Sequence, residues 1–98
     1  EARWAPQAFA LHANYPNPFN PSTTMRYQLA TASQVRLELY DVLGQKVRTL
    51  VREAQPAGYY QVAWDSRNEA GTQVAAGVYF YRLQAGDFTQ VRKLLLLK

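Results

Sequence analysis

A chain of 98 residues, 48% apolar and 13% aromatic, is enough for one folded domain and leaves little room for a second. Absence of cysteine excludes a disulfide framework, a thiolate metal site and a cysteine nucleophile, and the lone histidine, His12, excludes every histidine pair. Eleven Lys+Arg against seven Asp+Glu leave +4, which argues against nucleic acid as a partner, and no apolar run approaches the roughly 18 residues of a membrane span.

Residues 1–8, with Pro6, read as the end of a linker from an upstream domain, and Glu1-Ala2-Arg3-Trp4 does not read as a signal peptide. The domain is expected over 9–98. Phe9 to His12 suits a short edge strand. Tyr15-Pro16-Asn17-Pro18-Phe19-Asn20-Pro21 holds three of the five prolines. Proline cannot donate to a ladder and pushes the residue before it to extended geometry, so this is a stiff, irregular connection. Asn17 and Asn20 are expected to bond local backbone and fix it.

From Thr23 the chain alternates with a period of two. Thr23, Met25, Tyr27 and Leu29 form one face, and Thr24, Arg26 and Gln28 the other. Val35, Leu37 and Leu39 repeat the pattern against Gln34, Arg36, Glu38 and Tyr40. Gln45 to Arg52 alternates less cleanly: Val47 and Val51 face one way, and Lys46, Arg48 and Arg52 the other, with Leu50 on the polar side. Tyr60, Val62 and Trp64 oppose Tyr59, Gln61 and Ala63. Val78 to Leu83 is apolar on both faces, as a central strand would be, and a last strand runs from Phe88 into Leu94-Leu95-Leu96-Leu97, read as buried on both faces.

Asp41-Val42-Leu43-Gly44, Gln55-Pro56-Ala57-Gly58 and Asn68-Glu69-Ala70-Gly71 carry type I turn preferences at hairpin-like spacing, and Gly86-Asp87 makes a tight turn. Gly77 supplies the flexible turn that Val74-Ala75-Ala76-Gly77 needs before a buried strand. Short strands so spaced, with no convincing helix, read as an antiparallel β-sandwich of about seven strands; the alternative is a small barrel.

Catalytic chemistry finds little support. His12 has no histidine partner and reads as an edge-strand residue. Asp65-Ser66-Arg67-Asn68-Glu69 places Arg67 where a calcium loop wants an oxygen, so a capped turn is expected. Asp41 and Asp65 each end a strand, and nothing pairs them for acid–base work. Tyr59, Tyr60 and Trp64 invite a carbohydrate-binding reading, but Tyr60 and Trp64 share a face with Val62 and read as core, leaving Tyr59 on the surface. The basic residues read as a solvated sheet face that discourages edge-to-edge aggregation.

Tyr15-Pro16-Asn17-Pro18-Phe19-Asn20-Pro21-Ser22-Thr23, then Leu39-Tyr40-Asp41, Gly44-Gln45-Lys46-Val47, Gly77-Val78-Tyr79 and the closing Lys93-Leu94-Leu95-Leu96-Leu97-Lys98 resemble the C-terminal sorting domains of type IX secretion cargo, the Por secretion tail type. The middle, Ala57-Gly58 to Asp65 and Gly71 to Tyr79, is similar to the immunoglobulin-like domain of flagellar hook-capping proteins. The resemblance implies an all-β, Ig-like antiparallel sandwich with no catalytic residue and no cofactor. It would direct an upstream secreted enzyme or adhesin in the same chain through the periplasm to the cell surface of Bacteroidetes-type bacteria.

The implied partners are the outer-membrane secretion machinery and a surface sorting peptidase cutting in or near residues 1–12, with the domain itself a monomer. The implied motif residues are Tyr15, Pro16, Asn17, Pro18, Gly77, Tyr79, Lys93 and Lys98. The chain stops at Lys98 directly after the last motif, which favours the sorting reading over a hook cap. An accessory carbohydrate-binding module and a hook-cap-like structural module are the alternatives.

Overall fold

Seven strands pack as two antiparallel sheets in the computed structural model, which describes residues 5–97. β1 (Ala10–Leu11), β2 (Thr23–Leu29) and β5 (Gly58–Trp64) form one sheet in the order β1-β2-β5. β3 (Ser33–Tyr40), β4 (Lys46–Gln55), β6 (Gly77–Ala85) and β7 (Phe88–Leu96) form the other in the order β4-β3-β6-β7. This is the expected all-β, Ig-like sandwich. The period-two faces of β2, β3 and β5 turn inward as the alternation predicts, and Met25, Leu29, Val35, Leu37, Leu39 and Trp64 are fully buried. β6 is central, between β3 and β7, which explains its apolar residues on both faces.

Trp64 centres the core. Its indole meets the Phe19 ring at 5.8 Å and the edge of Tyr79 at 5.5 Å, and its Nε1 donates to the Arg67 carbonyl at 2.8 Å. Burying an aromatic of this size contributes several kcal/mol by area, about 25 cal/mol per Å². Side chains then close both margins of the sandwich. On one, Phe9 stacks on Phe88 at 5.6 Å, and Gln90 and Arg92 of β7 bond the free backbone of Leu11 at 3.2 and 2.6 Å. On the other, Tyr27 donates to Gln55 at 2.6 Å and Arg48 to Asp65 at 3.0 Å.

Four expectations need correction. Leu50 does not lie on the polar side. Register shifts opposite Leu37/Glu38 and Leu39/Tyr40 bulge β4 twice, and Leu50 packs against the core. The same bulges take Arg48 off the face that keeps Lys46 and Arg52, and Arg48 instead reaches Asp65 and the Arg67 carbonyl across the open margin.

The Leu94–Leu97 run is not buried on both faces: β7 is an edge strand, with Leu94 and Leu96 in the core and Leu97 47% exposed. Gln55-Pro56-Ala57-Gly58 is not a hairpin, because β4 and β5 belong to different sheets and the turn carries the chain between them. Asp41–Gly44 does close the β3–β4 hairpin: Asp41 Oδ1 accepts the Leu43 and Gln45 amides, both at 2.9 Å, and Gly44 takes φ +81°.

Candidate recognition surface

Three segments distant in sequence meet at one end of the four-stranded sheet. Gly77 opens β6 opposite Leu96, Val78 lies opposite Leu95, and Phe80 opposite Lys93. Against this end of β7 lies the proline-rich loop. Phe19 forms a parallel bridge with Leu96: its amide donates to the Leu95 carbonyl at 3.0 Å and its carbonyl accepts from Leu97 at 2.8 Å. Asn17 Oδ1 accepts the Leu95 amide at 3.0 Å, and its Nδ2 reaches the Lys93 carbonyl at 3.5 Å. The loop therefore covers the backbone at the C-terminal end of an edge strand, which would otherwise offer a template for another chain.

Local anchors hold the loop. Asn14 donates to the Pro16 carbonyl at 3.2 Å and to Thr23 Oγ1 at 2.9 Å, and Thr23 donates to the same carbonyl at 2.7 Å. Ser66, buried with φ +68°, donates its hydroxyl to the Pro21 carbonyl. The Tyr15–Pro16, Asn17–Pro18 and Asn20–Pro21 bonds are all cis. Asn17 thus departs from expectation: its partners are on β7, and Asn14 and Thr23 do the local fixing. That role of Asn14 had no sequence signal beyond an asparagine preceding the prolines.

Of the expected motif residues, Pro16, Asn17, Pro18 and Lys93 are exposed beside one another, and Tyr15 is 72% exposed. Gly77 stands at φ +146° with open space where a Cβ would lie, so backbone conformation and not crowding explains the glycine. Tyr79 is a core residue: it is 7% exposed, packs on Trp64 and donates its hydroxyl to the Ala75 carbonyl at 2.5 Å. Lys98 lies outside the described residues.

The outer face of the same sheet is cationic. The register places Arg36, Lys46, Arg52, Arg82 and Lys93 on it with a single strand carboxylate, Glu38. Glu38 is 2% exposed although it stands on the outward side of β3, which the alternation had assigned to solvent. Arg82 donates to it at 3.1 Å and Tyr40 at 2.7 Å, while Arg36 and Lys46 lie 3.5 and 3.7 Å away. Burial alone would raise this carboxyl, but the hydrogen bonds from Tyr40 and Arg82 and the charges of Arg36 and Lys46 outweigh it, so the group sits below the ordinary carboxylate range. Arg82 also stacks over the Tyr40 ring at 5.0 Å.

Among the described residues no three His, Asp or Glu side chains gather as a metal site would require, and no helix is long and apolar enough to cross a membrane. Asp65 turns to Arg48 and Arg67, and Asn68 Oδ1 accepts the Ala70 and Thr72 amides, both at 3.0 Å, so the 65–69 segment is a capped turn.

These features define an Ig-like β-sandwich with a latched loop at one end. The model of the FlgD Ig-like domain matches residues 19–87, and the chain belongs to that family. A search of curated proteins finds no match. Among solved structures, dimeric latent PorU from Porphyromonas gingivalis superposes with a TM-score of 0.71 at 21% identity, over 87% of this chain and 9% of that one. PorZ, described as an essential bacterial surface component of the type-IX secretion system of the same species, superposes with a TM-score of 0.61 at 16% identity, over 94% of this chain and 12% of that one. The likeness to both is one of fold, and the chain spans only a small part of each.

Proposed function

We propose that this domain is a non-catalytic sorting module that directs an upstream secreted enzyme or adhesin through type IX secretion to the cell surface. The observation that carries the reading is the latch of Asn17 and Phe19 onto Leu95 and Leu97. It joins the Tyr15–Pro18 loop, the Gly77–Val78 start of β6 and Lys93 into one contiguous surface. Separate segments that assemble into a single exposed patch suit recognition by a partner, here the outer-membrane secretion machinery. Two structural neighbours with this sandwich, PorU and PorZ, support the same context.

The reading also includes a cut by a surface sorting peptidase. The cut belongs in or near residues 1–12 in this reading, and the burial of Pro6 with the 2.9 Å hydrogen bond from Gln28 to the Ala8 carbonyl favours the part of that stretch ahead of Pro6. Lys93→Ala combined with Lys98→Ala tests the surface without removing a core strand. A reporter fused ahead of the doubly substituted domain is expected to stay in the periplasm of a type IX-competent host; normal surface display would reject the role assigned to this end. Deletion of residues 92–98 is a poorer test, because it also removes Leu94 and Leu96 from the core.

A further inference from the structure

The outer face of the three-stranded sheet shares only Tyr15 with the surface of the sorting reading. Its layout follows from register alone. Gln28 lies opposite Ala10 and Tyr59, Arg26 opposite Gln61, and Thr24 opposite Tyr15 and Ala63. The His12 amide bonds the Arg26 carbonyl at 2.9 Å, which sets His12 beside Arg26. Residues directly opposite in an antiparallel pair share a face, so Ala10-Gln28-Tyr59, His12-Arg26-Gln61 and Tyr15-Thr24-Ala63 form three rows of one outward grid.

The two tyrosines occupy diagonal corners, 72% and 67% exposed. A rise of about 3.3 Å per residue and a spacing of about 4.8 Å between strands put their Cα atoms roughly 16 Å apart. Between them runs a polar row, already ordered: Gln28 ties its amide to the His12 ring at 3.0 Å and to the Ala8 carbonyl at 2.9 Å. A shallow groove of about 450 Å³ follows His12, Arg26, Gln28, Tyr59 and Gln61. No grid position is acidic, and among the described residues no carboxylate pairs with Arg26.

We propose that this face binds an acidic oligosaccharide, with Tyr15 and Tyr59 stacking on sugar rings at its two ends and Arg26 pairing with a carboxylate between them. The buried core of a protein interface is more apolar than its rim and poor in charge. Here the rings are separated by hydrogen-bonding groups, and a pyranose chain alternates apolar C–H faces with hydroxyls in the same manner. The lone cation amid neutral groups selects a ligand with sparse negative charge over a densely charged one. The site shares Tyr15 with the sorting surface, while Tyr59 and Arg26 belong to it alone, so their variants test it apart from the sorting role.

Affinity electrophoresis of the 98-residue chain at physiological salt, in gels containing polygalacturonate or the neutral polymer dextran, tests this. Retardation is expected in the polygalacturonate gel, falling roughly tenfold in apparent affinity with Tyr59→Ala and with Tyr15→Ala. Arg26→Gln should weaken it comparably, whereas Arg52→Gln on the opposite sheet should leave it unchanged. Both tyrosines are exposed, so the circular dichroism melt of each variant should match the parent. Retardation only by dextran would overturn the charge assignment. No retardation in either gel, or retardation that survives the Tyr15→Ala, Tyr59→Ala double substitution, would overturn the site.

Discussion

Asn17 and Leu95, 78 positions apart in the chain, are joined by a 3.0 Å hydrogen bond from the Leu95 amide to the Asn17 Oδ1. Because β7 is an edge strand, that amide has no strand partner on its open side, and an asparagine from an irregular loop supplies the acceptor. Asn17→Ala should therefore cost about 1 kcal/mol. On a domain of this size the melting temperature should fall by roughly 4–8 °C. Amide hydrogen exchange should show Leu95 losing protection while β3 and β6 keep theirs. An unchanged Leu95 exchange rate would mean the latch is not formed in solution.

Phe19 anchors the same loop in the core, 2% exposed against Trp64. Phe19→Ala should destabilise by about 3–5 kcal/mol, a large part of the stability of a small domain. Phe19→Leu, which keeps most of the volume, should cost clearly less. Denaturant titration of the three proteins checks the order; equal midpoints for Ala and Leu would show that the loop is not packed as described.

The buried Glu38 makes stability depend on acid. Its folded-state carboxyl is shifted below its unfolded value, so its contribution is full above the ordinary Glu range near pH 4.3 and disappears as pH falls through the lowered folded value. Glu38→Gln should lower stability at pH 7 and flatten the acid limb of the stability–pH curve. Glu38→Ala, which leaves Arg36, Lys46 and Arg82 facing one another, should cost about 1–3 kcal/mol, moderated by the partial exposure of those cations. Denaturant midpoints measured from pH 2 to 7 decide this; parallel curves for parent and Glu38→Gln would contradict it.

Alkali acts through Tyr27. Burial first, with smaller contributions from Tyr60 and Glu53, pushes its hydroxyl up from 10.0 to about 12 against the opposing hydrogen bond to Gln55. A raised folded value keeps this contribution whole below pH 10, and it is lost as pH rises toward about 12, where the unfolded chain ionises first. Tyr27→Phe should lose about 1 kcal/mol at neutral pH for the broken hydrogen bond and show a shallower decline above pH 10. Equal alkaline slopes would refute the assignment.

The strands were legible wherever one face alone was buried. β2 and β5 alternate without interruption, and their inward residues Met25, Tyr27, Leu29 and Trp64 are the ones the period selects. β4 was not, because a bulge is a property of a strand pair: nothing in Lys46 to Arg52 announces that β3 opposes it with two residues fewer. The sheet change at Pro56-Ala57 resembles a hairpin turn because local turn chemistry does not specify which strands pair afterwards. Glu38 reads as solvent-facing, since its burial comes from Tyr40, Arg82 and Lys46, on its own and two neighbouring strands. Of the candidate surface, the residues of the proline-rich loop were identifiable; their attachment to β7 was not, because it depends on contacts spanning most of the chain.

The most direct measurement is the location of a reporter fused ahead of this chain, read as accessibility to external protease in intact type IX-competent cells and in the same strain lacking the outer-membrane translocon. Surface exposure in the competent strain and retention in the periplasm of the deficient one is the result expected of a sorting domain. Periplasmic retention in both strains would contradict it.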